Sequence, residues 1–450
     1  MCTHLDGNST SKLCRQRSAA LVCRRWQQLC TAAPQLLRSI AASFLRGARR
    51  PERLCSFCAW LQQHAAGRVQ QLSLDCSGQG AGDAQLSAAV AAAISACGAA
   101  GSLTALRVKD TLCEPGTWTS ALRGLRRLVA INSHSEGALM AWAVAPRALA
   151  GLQALHVVGF NAPLDAALPP SLTKLHLDYD NQALAMPGTA LLPTKLTALT
   201  RLHTLHITCA GGDFAALPQL PSLCRLALVQ CFAWPVCLSQ LTRMQALELA
   251  NAYGELDDRE AAAAAVAAAL PRLQVTHLLL DWPSNTTGLP AELASLTTLR
   301  SFAWTADRAG LPQGPWLQQL RRLAGMGEAI AALAPMLATA APRLEFLGAL
   351  FPPPCKELRP LLRWLPRLPR LRRAVLAASE ASLGRAAQAL VDAQRAAPHM
   401  QLPSLARCVP PVQCSPALPV PFQTLPVHPA PHTWIHNVDG QLPLLSLLFL

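Results

Sequence analysis

Leu152-Gln-Ala-Leu-His-Val157, Leu172-Thr-Lys-Leu-His-Leu177 and Leu202-His-Thr-Leu-His-Ile207 are three copies of one six-residue phrase. Each places large aliphatic side chains at its first, fourth and sixth positions. The closing Leu-x-Leu alternation is the period-2 pattern of a short strand with one buried face. The phrase recurs as Leu223-Leu226-Leu228, Met244-Leu247-Leu249, Val275-Leu278-Leu280 and Leu299-Phe302-Trp304, and looser copies begin at Val69, Leu103, Leu125, Leu344 and Leu371. Successive first residues lie 20 to 45 positions apart, with a median of 27. The longest interval, Leu299 to Leu344, has room for a degenerate copy or an insertion. One such strand cannot bury its own leucines, whereas stacked neighbours make a continuous core. Leu155, Val157, Leu175, Leu177, Leu205, Ile207, Leu226, Leu228, Leu247 and Leu249 are therefore predicted to be buried.

Between the strands the sequence turns helical, as in Ala84–Cys97 and the alanine-rich Asp258–Leu270, while shorter intervals carry Leu-Pro phrases such as Gly288-Leu-Pro-Ala-Glu-Leu. A repeat of 20–29 residues with this phrase resembles the leucine-rich-repeat superfamily. The resemblance covers roughly Arg68 to Ser379. It implies an α/β solenoid, a curved parallel sheet with helices outside. Several copies lack the Asn usual at the ninth position and carry Ser, Thr, Cys, Ala or Asp there.

A different pattern precedes the array. Leu13–Phe44 reads as helical and contains Ala20-Leu-Val-Cys-Arg-Arg-Trp-Gln-Gln-Leu, then Pro34-Gln-Leu-Leu-Arg-Ser-Ile. Leu21, Val22, Cys23, Trp26, Leu29 and Leu36 resemble the second half of an F-box. A following helix, Pro51–Ala66, leads to the first strand, as in the F-box/leucine-rich-repeat family. That resemblance implies binding to the Skp1 adaptor of a ubiquitin ligase. The family's opening Leu-Pro-x-Glu-Leu-Leu phrase is absent here, and it provides much of the Skp1 contact. Two readings stay open: an incomplete N-terminus, or a relic. As written, the segment is expected to bind Skp1 weakly.

The expected division is 1–45 as an F-box-like segment, 46–397 as the solenoid and 398–450 as a disordered tail. The tail holds eleven prolines and two charges, a density that works against helices and sheet ladders alike. With 450 residues and 51% hydrophobic content, the chain is too long for one growing core and too apolar for global disorder. No apolar run of about 18 residues is present, and the N-terminus lacks a signal-peptide core. A cytoplasmic monomer is expected, with nucleus or cytoskeleton as alternatives and no membrane contact. The sixteen cysteines are scattered, and Cys55-Ser-Phe-Cys58 is a lone C-x-x-C. Buried thiols are the plainer reading there, against metal or redox chemistry.

Net charge is +14, of which residues 1–60 carry +8 and residues 300–373 another +8. No RNA-binding aromatic signature or zinc-finger spacing accompanies it, so nucleic acid is not an expected partner. No phosphate loop, zinc helix or nucleophile elbow is present. Neither catalysis nor a cofactor is expected.

The residue between the last two leucines of each phrase should face the concave side. In order these are Ser73, Arg107, Val129, His156, His176, His206, Ala227, Glu248 and Leu279. Ser73, Arg107, the three histidines and Glu248 are the candidate contacts for a protein target. At a strand spacing of about 4.8 Å the histidines would form a ladder. A metal site, a pH-sensitive contact surface and simple solvated imidazoles all remain open for it. Joint titration would spread below the free-histidine value, strengthening an acidic partner's binding toward pH 6. The leading functional expectation is a substrate-recruiting subunit of a Skp1–cullin–F-box ligase. The alternative is a non-catalytic cytoskeletal or ciliary scaffold with a degenerate F-box.

Overall fold

The computed structural model describes residues 37–43, 50–76, 84–109, 121–131, 149–160, 168–179, 196–208, 214–231, 234–250, 256–282, 289–305, 310–351, 361, 363–378 and 404–407. Two compact units divide the chain. The first comprises Met1–Arg243 and Asn251–Gly254, the second Met244–Ala250 and Glu255–Leu450.

The first unit carries eight strands: β1 (Ser39–Ser43), β2 (Gln71–Asp75), β3 (Ala105–Lys109), β4 (Arg127–Ile131), β5 (Ala154–Phe160), β6 (Lys174–Tyr179), β7 (Thr204–Thr208) and β8 (Arg225–Val229). Each pairs in parallel with the next, in sequence order. The second unit repeats the plan with β9 (Ala246–Ala250), β10 (His277–Leu280), β11 (Ser301–Trp304), β12 (Arg322–Met326), β13 (Phe346–Phe351), β14 (Arg373–Ala378) and β15 (Ser404–Arg407). One strand per repeat, always parallel to its predecessor, is a leucine-rich-repeat solenoid in both units. All ten aliphatic residues predicted to be buried are buried.

The intervals of more than 30 residues return the chain through helices α1 (Arg50–Trp60), α2 (Ala84–Ala99) and α3 (Leu256–Ala269), and α4 (Gly327–Ala340) fills the 24-residue interval from Leu320 to Leu344. A helix advances only about 1.5 Å per residue, so it absorbs the excess chain within one repeat height. 3-10 turns serve elsewhere, such as Leu217–Gln219 in a 21-residue interval and Ala291–Ser295 in a 24-residue one. Helix α1 packs on α2, and α4 packs on β12 and β13.

Neighbouring repeats are stitched at the strand entrances. The amides of Thr173 and Lys174 both donate to the Gln153 carbonyl (2.8 and 3.0 Å), and those of Cys224 and Arg225 to His203 O. Hydroxyls reinforce the stitch: Ser102 Oγ donates to Val69 O, Thr104 Oγ1 to Gln70 O, Thr173 Oγ1 to Gln153 O and Thr276 Oγ1 to Gln245 O. Cys231, at a ninth position, is buried and directs its thiol at the Ile207 and Val229 carbonyls. These donors take over part of the work of the missing Asn ladder.

Three strands depart from the sequence expectation. Leu13–Phe44 was expected to be helical, yet Ser39–Ser43 is strand β1, paired in register with β2. Its phrase is Leu37-Ile40-Ala42, and all three side chains are buried. Strand β12 fills the long interval between Leu299 and Leu344. Its phrase, Leu320-Leu323-Gly325, ends on glycine because the Trp304 indole occupies that space. Strand β15 lies inside the stretch expected to be disordered throughout, 398–450. Among the described residues it pairs only with β14, and in the sequence it lies between Pro403 and Pro410.

Candidate partner-binding face

Strand alternation places positions 3, 5 and 7 of each phrase on the face opposite the leucine core. In the first unit the central row runs Ser73, Arg107, Val129, His156, His176, His206, Ala227, each the Cα partner of the next. Ser73, Arg107 and the three histidines are half-buried, which leaves part of each side chain at the surface.

The histidine rings stack face to face. His156 and His176 have centroids 3.8 Å apart and planes 5° from parallel; His176 and His206 are 3.9 Å apart at 28°. Strands about 4.8 Å apart cannot bring upright rings this close, so the rings lean together along the row. Neutral imidazoles stack favourably this way, whereas two adjacent imidazolium ions repel. Burial holds the His206 imidazole down to about 4. At pH 6 that ring is neutral, so His206 contributes nothing to the strengthening expected toward that pH.

Polar and apolar groups frame the stack. Lys174 and Asp178 lie on either side of His176 along β6, and Thr204 and Thr208 on either side of His206 along β7. Val129 and Val158 form a buried apolar pair beside His156. Toward the N-terminal strands the face becomes charged: Lys109 pairs with Asp75 at 3.8 Å, near Arg107. Burial works against the Arg107 charge and lowers its pKa, while Asp75 supports the charge and Arg127 opposes it.

In the second unit Glu248 is half-buried on β9, the Cα partner of Leu279. Burial pushes its carboxyl up to about 7. Leu279 is only 4% exposed and Val129 only 7%, so these two members of the expected row are withdrawn from the surface. The central positions Ala303 and Ala324 are buried as well. The half-exposed central positions are therefore Ala41, Ser73, Arg107, His156, His176, His206 and Ala227 in the first unit, and Glu248 in the second.

The F-box-like residues Leu21, Val22, Cys23, Trp26, Leu29 and Leu36 lie outside the described residues. Cys58 is buried on α1, as are Cys76, Cys97 and Cys231 elsewhere in the first unit. Burial pushes the Cys97 thiol up to about 11, far from the thiolate that metal or redox chemistry needs. Among the described residues no group of three or more His, Cys, Asp or Glu is arranged to hold a metal ion. Stacked rings aim their nitrogens along parallel lines, while a metal needs them converging on one point about 2 Å away. Among the described residues no helix is long and apolar enough to cross a membrane.

No protein-family profile matches the sequence, and no curated protein does. Among solved structures the chain is similar to a leucine-rich-repeat protein of Leptospira interrogans, at 14% identity and a TM-score of 0.36, over 84% of this chain and 98% of that one. It is also similar to an internalin of Listeria monocytogenes, at 16% identity and a TM-score of 0.37, over 72% of this chain and 88% of that one.

Proposed function

We propose that this chain is a non-catalytic protein-recognition subunit that holds an extended segment of another protein across the open face of its first unit. The observation that carries this reading is the row of half-exposed side chains on β2, β3 and β5 to β8, centred on the stacked His156, His176 and His206. A row of fixed contacts on a rigid sheet suits an elongated partner. Small-molecule sites are instead concave and enclosed on most sides. Ser73 and Arg107 extend the row toward one end, and Glu248, on β9 of the second unit, is a candidate contact in its own right.

Within that reading, the segment ahead of β1 is the adaptor-facing part of a Skp1–cullin–F-box ligase, and the repeats of the first unit hold the target. The F-box resemblance of Leu21, Val22, Cys23, Trp26, Leu29 and Leu36 supports the assignment. The alternative is a non-catalytic scaffold with a degenerate F-box. A titration with purified Skp1 separates the two. The ligase reading expects weak binding by the chain as written, and strong binding once a Leu-Pro-x-Glu-Leu-Leu opening is grafted ahead of Leu21. No gain from the graft contradicts it and leaves the scaffold.

A further inference from the structure

Seven of the twelve basic residues between 300 and 373 are gathered on one strip of the second unit. The amides of Arg321 and Arg322 both donate to Arg300 O, those of Glu345 and Phe346 to Arg321 O, and those of Arg372 and Arg373 to Glu345 O. Arg300, Arg321, Glu345 and Arg372 thus occupy successive rungs. Arg322, Phe346 and Arg373 form a second row beside them, as Cα partners. Arg343 and Arg370 each stand three residues ahead of their strand, β13 and β14. All seven arginines are exposed, and Glu345 is the single acid in the strip. At about 4.8 Å per rung the strip spans roughly 14 Å.

Arg300 and Arg321 are like charges on neighbouring rungs, which opposes pairing there, and the seven guanidiniums with one carboxylate leave the strip strongly positive and suited to an anionic ligand. Every base in the strip is arginine. The planar guanidinium fork takes a carboxylate in two parallel hydrogen bonds, which a lysine ammonium cannot do. The strip already accepts one carboxylate, with Arg321 Nη1 3.8 Å from Glu345 Oε1. Its aromatic residue, Phe346, is buried and engaged by arginine, with Arg373 5.9 Å over the ring. That disfavours single-stranded nucleic acid, which binds by stacking bases on open aromatic faces. The strip is built from strand entrances and offers no helix to a DNA major groove.

We infer that this arginine strip is a second docking surface, separate from the histidine row, for a carboxylate-rich segment of a protein partner. Fluorescence anisotropy with a labelled oligoglutamate peptide tests it. The full chain is compared with a variant carrying Arg300→Gln, Arg321→Gln, Arg372→Gln and Arg373→Gln, and with the same four positions changed to Lys. The Gln variant is expected to lose about tenfold or more in affinity, and the Lys variant several-fold despite unchanged charge. The triple alanine variant of His156, His176 and His206 is expected to bind the peptide like the parent chain. Thermal melts check folding, and the charge-conserving Lys variant carries the test should the Gln variant melt early. Three outcomes overturn the inference. One is a Lys variant as tight as the parent, which means diffuse charge alone. Another is tighter binding of a single-stranded oligonucleotide of equal charge, or of phosphatidylserine vesicles. The third is no peptide binding at low salt.

Discussion

A side chain at residue 325 would collide with Trp304: a Cβ placed there comes within 2.9 Å of three atoms of the indole. Trp304 ends the β11 phrase and is fully buried, so one large ring fills the leucine positions of two adjacent repeats. Gly325→Ala should therefore cost about 1–3 kcal/mol by overpacking. Trp304→Leu should cost a similar or larger amount by leaving a cavity. The double variant should be less destabilised than the sum of the two, since the smaller residue at 304 frees the room that the new methyl needs. Urea denaturation of the four proteins checks this, and strict additivity would argue against the shared space.

The hydroxyl stitch predicts a graded loss. Thr104→Val, Thr173→Val and Thr276→Val keep shape but remove donors to Gln70 O, Gln153 O and Gln245 O. Each should lower stability by about 0.5–1.5 kcal/mol. Hydrogen exchange should also quicken at the amides sharing those carbonyls, such as Lys174 and His277. Valine variants as stable as the parent would mean that the backbone ladder alone holds the repeats in register.

Two buried groups should bend the pH profile in opposite directions. Between pH about 6.5 and about 4 the unfolded chain takes up a proton at residue 206 that the fold refuses, so stability drops as pH falls through that window. Between about 4.5 and about 7 the fold keeps a proton on Glu248 that the unfolded chain releases, so stability drops as pH rises. Melting temperatures across this range should show the slopes separately. His206→Gln should leave a chain more stable near pH 5 than near pH 7, relative to the parent, and Glu248→Gln the reverse. Variants whose profiles match the parent in shape would contradict both assignments.

The solenoid was legible in the sequence because Leu155, Leu175 and Leu205 repeat a period-2 pattern that only stacked strands can bury. The histidine row was legible for the same reason, since period 2 also names the residue opposite the core. What escaped were repeats whose aliphatic slot is filled from elsewhere or by something small. Gly325 reads as a break until Trp304 is seen above it, and Ala42 is too small to announce β1. Strand β15 was hidden by flanking prolines, which mark a strand's ends as readily as disorder. The burial of Val129 and Leu279 depends on what covers the outer face, and alternation alone carries no information on that. The arginines were counted correctly in the sequence, but their gathering on consecutive rungs needed the β12 register that Gly325 had concealed.

The central claim is that the outer row of the first unit recognises a protein. Its most direct test is the affinity of a purified protein partner for the parent chain and for the triple variant His156→Ala, His176→Ala and His206→Ala, measured near pH 7.5 and near pH 6. The rings lie on the face opposite the core, so the variant should keep the parent's circular dichroism and unfold in one comparable transition. Affinity should fall by about tenfold or more at both pH values, as expected when a central cluster of contacts is truncated. Unchanged affinity in a folded triple variant would contradict the claim and leave the histidine stack without a role in recognition.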